Sequence, residues 1–483
     1  MASLPRVVAL LAVVALAAVG ATILLGPDEP PRLAPGSGAA PGQESGRVDP
    51  LAYTSARETE LVAAAARGHA HVVYAKSPGG ARASAERTAR YRPLVEAAAG
   101  AAGIDPDTFE AIVLLESAGR PDAVADPRLD GAVGLTQILA ETGGNLLGMH
   151  VAPAAARRIG RSIRRAQRRR DGVLLARLRA RRRTVDERFD PSRSLAATAR
   201  YLLIARKALR RQDLAVESYH MGIGNLQAAL RAYGGDGDVS YARLYFDSTP
   251  ERHAAAWQAL ARLGDDSASY LWRVMAAREV MRLYRTDPAR LDRISALQNA
   301  KGSAEEVLHP RDATESFTTP DDLAAAYGAD RLAALQRALL TEHGIAIDPQ
   351  MGELAHRLQR SRRLYEGLRP AALALLVVLG AGVEEISGSA PLSLTSTVRD
   401  QRYQDLLLSA GNGEATPNYS LHTTGWAFDV LRRYRSRAQA LAFEFMLGRL
   451  QSQDLIAWVR EPAAIHVTVS PRARALLGVL EAG

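Results

Sequence analysis

Residues 105–118 read D-P-D-T-F-E-A-I-V-L-L-E-S-A, and after an irregular Asp- and Pro-rich passage residues 131–138 read G-A-V-G-L-T-Q-I. Asp105 is a good helix cap, and Pro106 suits the first helical position, where its missing N–H has no intrahelical partner anyway. The spacing therefore predicts a helix from here. Phe109, Ile112 and Val113 recur at i, i+3 and i+4, and the next position of that apolar stripe, i+7, is Glu116. Two readings are open. Glu116 closes the helix at the surface, since Ser117, Gly119 and Pro121 follow. Alternatively it is an acid on a buried face, where burial raises a carboxyl pKa and keeps a proton available for a leaving group.

Glu116-Ser117, then Gly134-Leu135-Thr136-Gln137-Ile138, then Tyr219-His220-Met221-Gly222-Ile223-Gly224-Asn225 form three motifs in fixed order. Together they resemble the SLT-type lytic transglycosylases, a lysozyme-like family, over about Tyr91 to Arg285. The resemblance implies a mainly α domain without a cofactor, in which Glu116 is the sole catalytic carboxylate. It would protonate the glycosidic oxygen of peptidoglycan and then act as base while the sugar's own 6-hydroxyl attacks, leaving a 1,6-anhydromuramoyl end. Ser117, Gln137, Tyr219, His220 and Asn225 are the implied substrate-binding positions, with Gln137 and Tyr219 lining the cleft. Thr136 stands where that family commonly has Met, and His220 where it has Asn. An ordinary glycosidase works with two carboxylates; for a hydrolysing muramidase Asp126 or Asp130 would have to serve as the second.

The 483 residues are enough for two or three domains. With 47% hydrophobic residues but only 5% aromatics, and abundant Ala and Arg, the composition favours helices over a large β-sandwich. There is no cysteine, which excludes disulfides and thiolate metal sites. A formal charge of +9 suits an anionic partner: nucleic acid, lipid headgroups or cell wall.

Val7–Leu25 is an uncharged apolar run preceded by Arg6 and followed by Gly-Pro-Asp-Glu-Pro-Pro. Its length suits a bilayer-spanning helix and exceeds the usual core of a cleaved signal. It reads as an anchor over 1–26 that leaves the bulk of the chain outside the cell, with secretion after signal cleavage as the alternative. Residues 27–85 read as a spacer and a short helix: the stretch to about Pro50, rich in Pro, Gly, Ala and Ser, is the flexible spacer, and Leu51–Ala75 fits one helix ended by Ser77-Pro78-Gly79-Gly80; His69 and His71 there read as solvated surface. Residues 157–183 hold 13 arginines against one acid, Asp171. A pair of basic amphipathic helices fits this segment, either as a solvated face or as a contact for anionic wall polymer or lipid headgroups. It lacks the interleaved aromatics of a nucleic-acid site.

The periodic pattern weakens around Pro288, Gly302, Pro310 and Pro320, which predicts a boundary. Further on, Trp426, Phe428 and Val430 alternate around Asp429, and Ile465, Val467 and Val469 alternate around His466. Alternation puts Asp429 and His466 on the faces opposite their apolar neighbours. With His422 these types suffice for zinc, although an ordinary strand pair offers the same residues. The stretch Ser420-x-His422-x-x-Gly425-x-Ala427-x-Asp429, with Ser396-x-x-Arg399 and Gln404, resembles the zinc D-Ala-D-Ala peptidases of the VanY type, whose fold is shared with hedgehog-like domains. That resemblance implies Zn²⁺ on His422, Asp429 and His466, with Arg399 binding a substrate carboxylate or carbonyl. The family's base lies two or three residues before the last histidine, where this chain has Ala464 and Ala463. Glu461, in a Glu-Pro pair, is the nearest acid and the candidate base.

The whole reads as an anchor (1–26), a spacer (27–85), an α lysozyme-like transglycosylase domain (86–290) with its basic insert, a linker (291–320) and an α+β DD-peptidase-like domain (321–483). Its expected partners are peptidoglycan glycan strands and stem peptides, not nucleic acid. A non-enzymatic wall-binding scaffold is the remaining alternative.

Overall fold

A computed structural model describes residues 49–234, 238–411 and 419–481. The apolar run Val7–Leu25 lies outside the described residues. The chain forms two compact units. One comprises Arg82–Gln227 and Ala261–Thr286; the other comprises the segment up to Ala81, Ala228–Leu260 and the chain from Asp287 on.

The first unit is helical and built around Pro106–Ser117. Asp105 caps this helix by accepting from the backbone N–H groups of Asp107 and Thr108, and Pro106 opens it. Phe109, Ile112 and Val113 are fully buried, and the helix packs along Tyr270–Thr286. Ala118, in the left-handed region at φ 53°, stops it one residue after Ser117. Pro191–Leu209 opens with the same Asp-Pro signal after Asp190, as does Pro288–Gln298 of the second unit after Asp287. The basic segment forms two consecutive helices, Pro153–Arg168 and Gly172–Val185, that pack on each other. Ala156, Gly160, Ile163 and Ala166 form the buried stripe of the first, and Asp171 caps the second through Leu174 N–H. Arg179 and Arg182 pair with Asp122.

The second unit is α+β. Five strands, β1 (Ile345–Ile347), β2 (Leu392–Ser396), β3 (Ala427–Leu431), β4 (Ile456–Arg460) and β5 (Ala464–Val469), form one sheet in the order β1-β2-β3-β5-β4. The β1–β2 pair is parallel and the others are antiparallel. Phe428, Val430, Ile465, Val467 and Val469 join one core with residues of helices Pro370–Ser387 and Arg437–Ser452. Pro370–Ser387 is long and apolar enough to cross a membrane, yet Ala371–Val377 and Leu379 are buried in this core. It is a core helix.

Two stretches outside the expected domains are structured parts of this unit. Where one helix is expected over Leu51–Ala75, two form, Glu58–Gly68 and His71–Ala75, and the first buries Leu61, Ala64 and Ala65. A Cβ on Gly68 would meet Gln451 O at 1.9 Å. Small residues thus let this helix approach Arg437–Ser452, with Arg67 paired to Asp454 at 2.6 Å. His69 and His71 are not solvated surface: they contact Ser452 Oγ at 3.0 Å and Gln298 Oε1 at 3.1 Å. In the expected linker, Pro288 starts a helix rather than breaking one, Phe317 is buried with Leu323, Tyr365 and Val398, and His309 stacks on Trp426.

Candidate active site and candidate metal centre

Glu116 sits at the C-terminal end of its helix, partly exposed. Burial pushes its pKa up to about 7, against the opposing effects of the Tyr270 hydroxyl and the Arg273 charge. The Tyr270 hydroxyl, itself buried, donates to Glu116 Oε1 at 2.7 Å. With that oxygen accepting, the proton of the neutral acid belongs on Oε2. The carboxylate whose charge acts on Glu116 is Asp266, and it is ion-paired with Arg273. Asp126 is engaged within its own turn, accepting from Arg128 N at 2.8 Å and Nε at 3.1 Å.

The loop 129–138 is held by buried polar groups. Arg188, fully buried beside Asp186, donates to the carbonyls of Leu129, Gly131 and Ile138 at 2.8, 3.1 and 3.3 Å. Ser117 Oγ donates to Leu135 O at 2.7 Å, and Tyr219 OH donates to Thr136 O at 2.7 Å. Gln137, at φ 53°, donates from Nε2 to Gly134 O at 2.8 Å. The three motifs are thus physically joined, the loop being pinned to the acid's helix by Ser117 and to the third motif by Tyr219. Residues 93–240 match the Transglycosylase SLT domain. The match supports lytic transglycosylase activity on peptidoglycan.

Several residues expected at the SLT substrate site do other work. Ser117 is buried and spent on the loop. The Tyr219 hydroxyl lies between Thr136 O and Thr198 Oγ1, so the tyrosine that holds the acid is Tyr270, which sequence reading passed over as one helical residue among many. Tyr270 in turn stacks on Tyr219 and on His220. His220 is exposed and contacts Ser267 Oγ through Nδ1 at 2.8 Å. Asn225, also exposed, donates to Met221 O at 2.9 Å. His220 and Asn225 are exposed and Gln137 is half-buried.

In the second unit, β3 and β5 pair with Asp429 directly opposite His466. Both project from the face away from the helices, because their alternate neighbours fill the core. His422 comes from the turn Leu421–Thr424 that leads into β3. Its Nε2 lies 3.1 Å from Asp429 Oδ2, and His466 Nδ1 lies 2.8 Å from Asp429 Oδ1. One ligand atom from each of the three converges within 4.8 Å. The outer ring nitrogens are also placed: His422 Nδ1 is 2.8 Å from Thr397 O, and His466 Nε2 is 3.2 Å from Glu305 Oε2. A carbonyl and a carboxylate only accept, so each outer nitrogen carries a hydrogen, and the inner nitrogens, now on the Asp429 carboxylate, are the ones that would turn a lone pair to a metal. Two imidazoles and a carboxylate fit Zn²⁺.

Electrostatics here are tightly coupled. Burial opposes ionisation of Asp429, but the two histidines hold its carboxyl well below the usual range. Burial also disfavours the His466 cation, yet Asp429 and Glu305 on either side push its pKa up to about 10. His422, desolvated and facing Arg399, is lowered to about 4.

The cluster opens into a cavity of about 820 Å³ lined also by Lys301, Glu305, Arg399, Gln404 and Glu461. Arg399 donates to Ser396 Oγ at 2.6 Å, to Gln404 Oε1 at 3.1 Å and to Asp429 Oδ2 at 3.4 Å. Glu461 reaches this face by hairpin register, without an inserted bulge. Val459 opposes His466, Arg460 opposes Ile465, and Glu461 N–H donates to Ala464 O at 3.0 Å. Glu461 is therefore the cross-strand neighbour of Ala464, two residues before His466.

Proposed function

We propose that the chain is a membrane-anchored peptidoglycan-remodelling enzyme that cleaves the MurNAc–GlcNAc bond without water and carries a zinc-dependent stem-peptide domain. The observation behind the first half is a single carboxyl, Glu116, held near pKa 7 with its Oε1 occupied by Tyr270. Glu116 Oε2–H gives its proton to the glycosidic oxygen as the bond from C1 breaks. The resulting carboxylate then takes the proton of the 6-hydroxyl as that oxygen bonds to C1. The proton count on Glu116 is restored, and the product carries a 1,6-anhydro ring. Mass spectrometry of muropeptides released by the full chain tests this: anhydro ends are expected, while reducing ends would establish a hydrolysing muramidase.

In the second unit His422, Asp429 and His466 would hold zinc, which when bound acidifies a water and polarises a carbonyl. Arg399, a fixed fork beside Asp429, suits a peptide carboxylate or carbonyl. Glu461, on the same face across from Ala464, is the residue in position to accept a proton. The apolar run Val7–Leu25 would anchor the chain with Arg6 inside and the remainder outside, and protease treatment of intact cells should then remove everything beyond residue 50. The basic helices Pro153–Arg168 and Gly172–Val185 would bind anionic wall polymer or lipid headgroups.

A further inference from the structure

Glu305 precedes the expected DD-peptidase-like domain in the chain, and no local pattern marks it, yet it is 4% exposed and in contact with His466. We propose that Glu305 is a positioning residue of the metal centre: its carboxylate fixes the ring orientation and tautomer of His466 so that Nδ1 is offered to the metal. This rests on the zinc reading of His422, Asp429 and His466.

Every oxygen of the Glu305 carboxylate is engaged. Oε2 lies 3.2 Å from His466 Nε2 and accepts from Thr468 Oγ1 at 3.3 Å; Oε1 pairs with Lys301 Nζ at 2.8 Å. The backbone N–H of Glu305 donates to Ser303 Oγ at 3.3 Å, which ties down the turn that presents it. Glu305 meets the ring at Nε2, while Asp429 meets it at Nδ1. The two carboxylates therefore occupy opposite edges of one imidazole, and Glu305 acts on the metal through the histidine rather than by touching it. His422 shows the same arrangement with a weaker partner, the neutral carbonyl of Thr397. An outer carboxylate holds a ring more firmly than a carbonyl and makes it a more basic ligand. Lys301 keeps the carboxylate aimed, and it is itself held by donating to Tyr419 O at 2.7 Å.

The test uses the purified full chain and zinc competed against a chromogenic chelator, with ¹⁵N-histidine NMR to report the His466 tautomer. The unsubstituted chain should bind one zinc with His466 protonated at Nε2. Glu305→Ala should weaken zinc binding about 10–100-fold and mix the tautomers. Glu305→Gln, whose amide oxygen still accepts, should lose less than the alanine variant. If Glu305→Ala lowers only the melting temperature and leaves zinc affinity and the His466 resonances unchanged, Glu305 is a packing ion pair and the inference fails while the zinc reading stands. If the unsubstituted chain takes up no zinc, both fail.

Discussion

Tyr270 donates its hydroxyl to Glu116 Oε1 at 2.7 Å across 154 positions of sequence. The bond assigns the proton of the neutral acid to the other oxygen and favours the ionised form once that proton has left. Replacing Tyr270 with Phe should therefore lower kcat about 10–100-fold with little change in KM, the size expected when general-acid geometry is loosened. It should also move the alkaline limb of the pH–rate profile upward, since a bond to the carboxylate is lost. An unchanged profile would mean that Tyr270 merely packs.

Glu116 should make the SLT domain less stable as pH rises. Its folded pKa of about 7 lies above the ordinary glutamate value of 4.5, so folding takes up a proton between the two. The stabilisation is complete below about pH 4.5 and declines as pH rises through 7. Glu116→Gln lacks this decline. It should melt later than the unsubstituted chain at pH 8, by up to ~3 kcal/mol less the share that solvent at the partly open carboxyl returns, and should match it at pH 5. Calorimetry at both pH values checks this. Equal melting at pH 8 would contradict the raised pKa.

The loop of the second motif depends on Arg188. Arg188→Met would leave Asp186 and three carbonyls without their guanidinium, and breaking such a buried pair costs about 3–5 kcal/mol. Gly134→Ala should damage the same loop from the other side. Gly134 has φ +83°, and a Cβ there would meet Arg188 O at 1.9 Å. Both variants should lose glycan cleavage and expose the loop to limited proteolysis, whereas a normal digestion pattern would show that the loop holds by other means.

What was legible in the sequence was local. The Asp105-Pro106 cap, the apolar stripe ending in Glu116 and the alternation that turns Asp429 and His466 to one face all act within a few residues. The same Asp-Pro signal at Asp287-Pro288 opens a helix of similar length, but that helix buries only Leu291 and Gln298, so prolines and glycines around it dominate the local reading. Partners far away in the chain left no local mark. Tyr270 looks like any helical tyrosine, Arg188 like a surface arginine, and Glu305 like an acid in a polar connector. Over Leu51–Ala75 the helical pattern is legible but its packing is not, because small residues such as Ala64 and Gly68, which permit close helix packing, carry little hydrophobic pattern.

Salt should govern the basic helices. Arg164, Arg165, Arg168, Arg169 and Arg170 project from exposed or half-exposed positions near the Asp171 turn, where Val173 is also exposed. Neutralising all five should abolish sedimentation with anionic vesicles or cell walls at low salt and leave glycan cleavage of soluble fragments unchanged. The unsubstituted chain should lose the same binding as ionic strength rises towards 1 M, where the screening length falls to about 3 Å. Undiminished binding by the neutralised chain would reduce the segment to a solvated face.

If His422, Asp429 and His466 hold zinc, Glu461 is the candidate base for peptide cleavage. Strand pairing puts Val459 opposite His466, and Glu461, two residues on, shares its face. From strand spacing its Cα lies roughly 8 Å from that of His466, near enough for a glutamate side chain to approach groups held beside Nδ1. It stands across the hairpin from Ala464, where an acid on β5 itself would have served, and it lines the same cavity as the three ligands. A base must come within about 3 Å of the proton it takes, or reach it through one water. Glu461→Ala should therefore keep one zinc per chain while reducing stem-peptide cleavage by at least about 100-fold, and His422→Ala should lose both zinc and cleavage. Glu461→Gln, which keeps the shape but cannot take the proton, should be as inactive as the alanine variant. Peptide turnover surviving in Glu461→Gln would remove Glu461 from the chemistry, leaving its face of the hairpin to bind peptide alone.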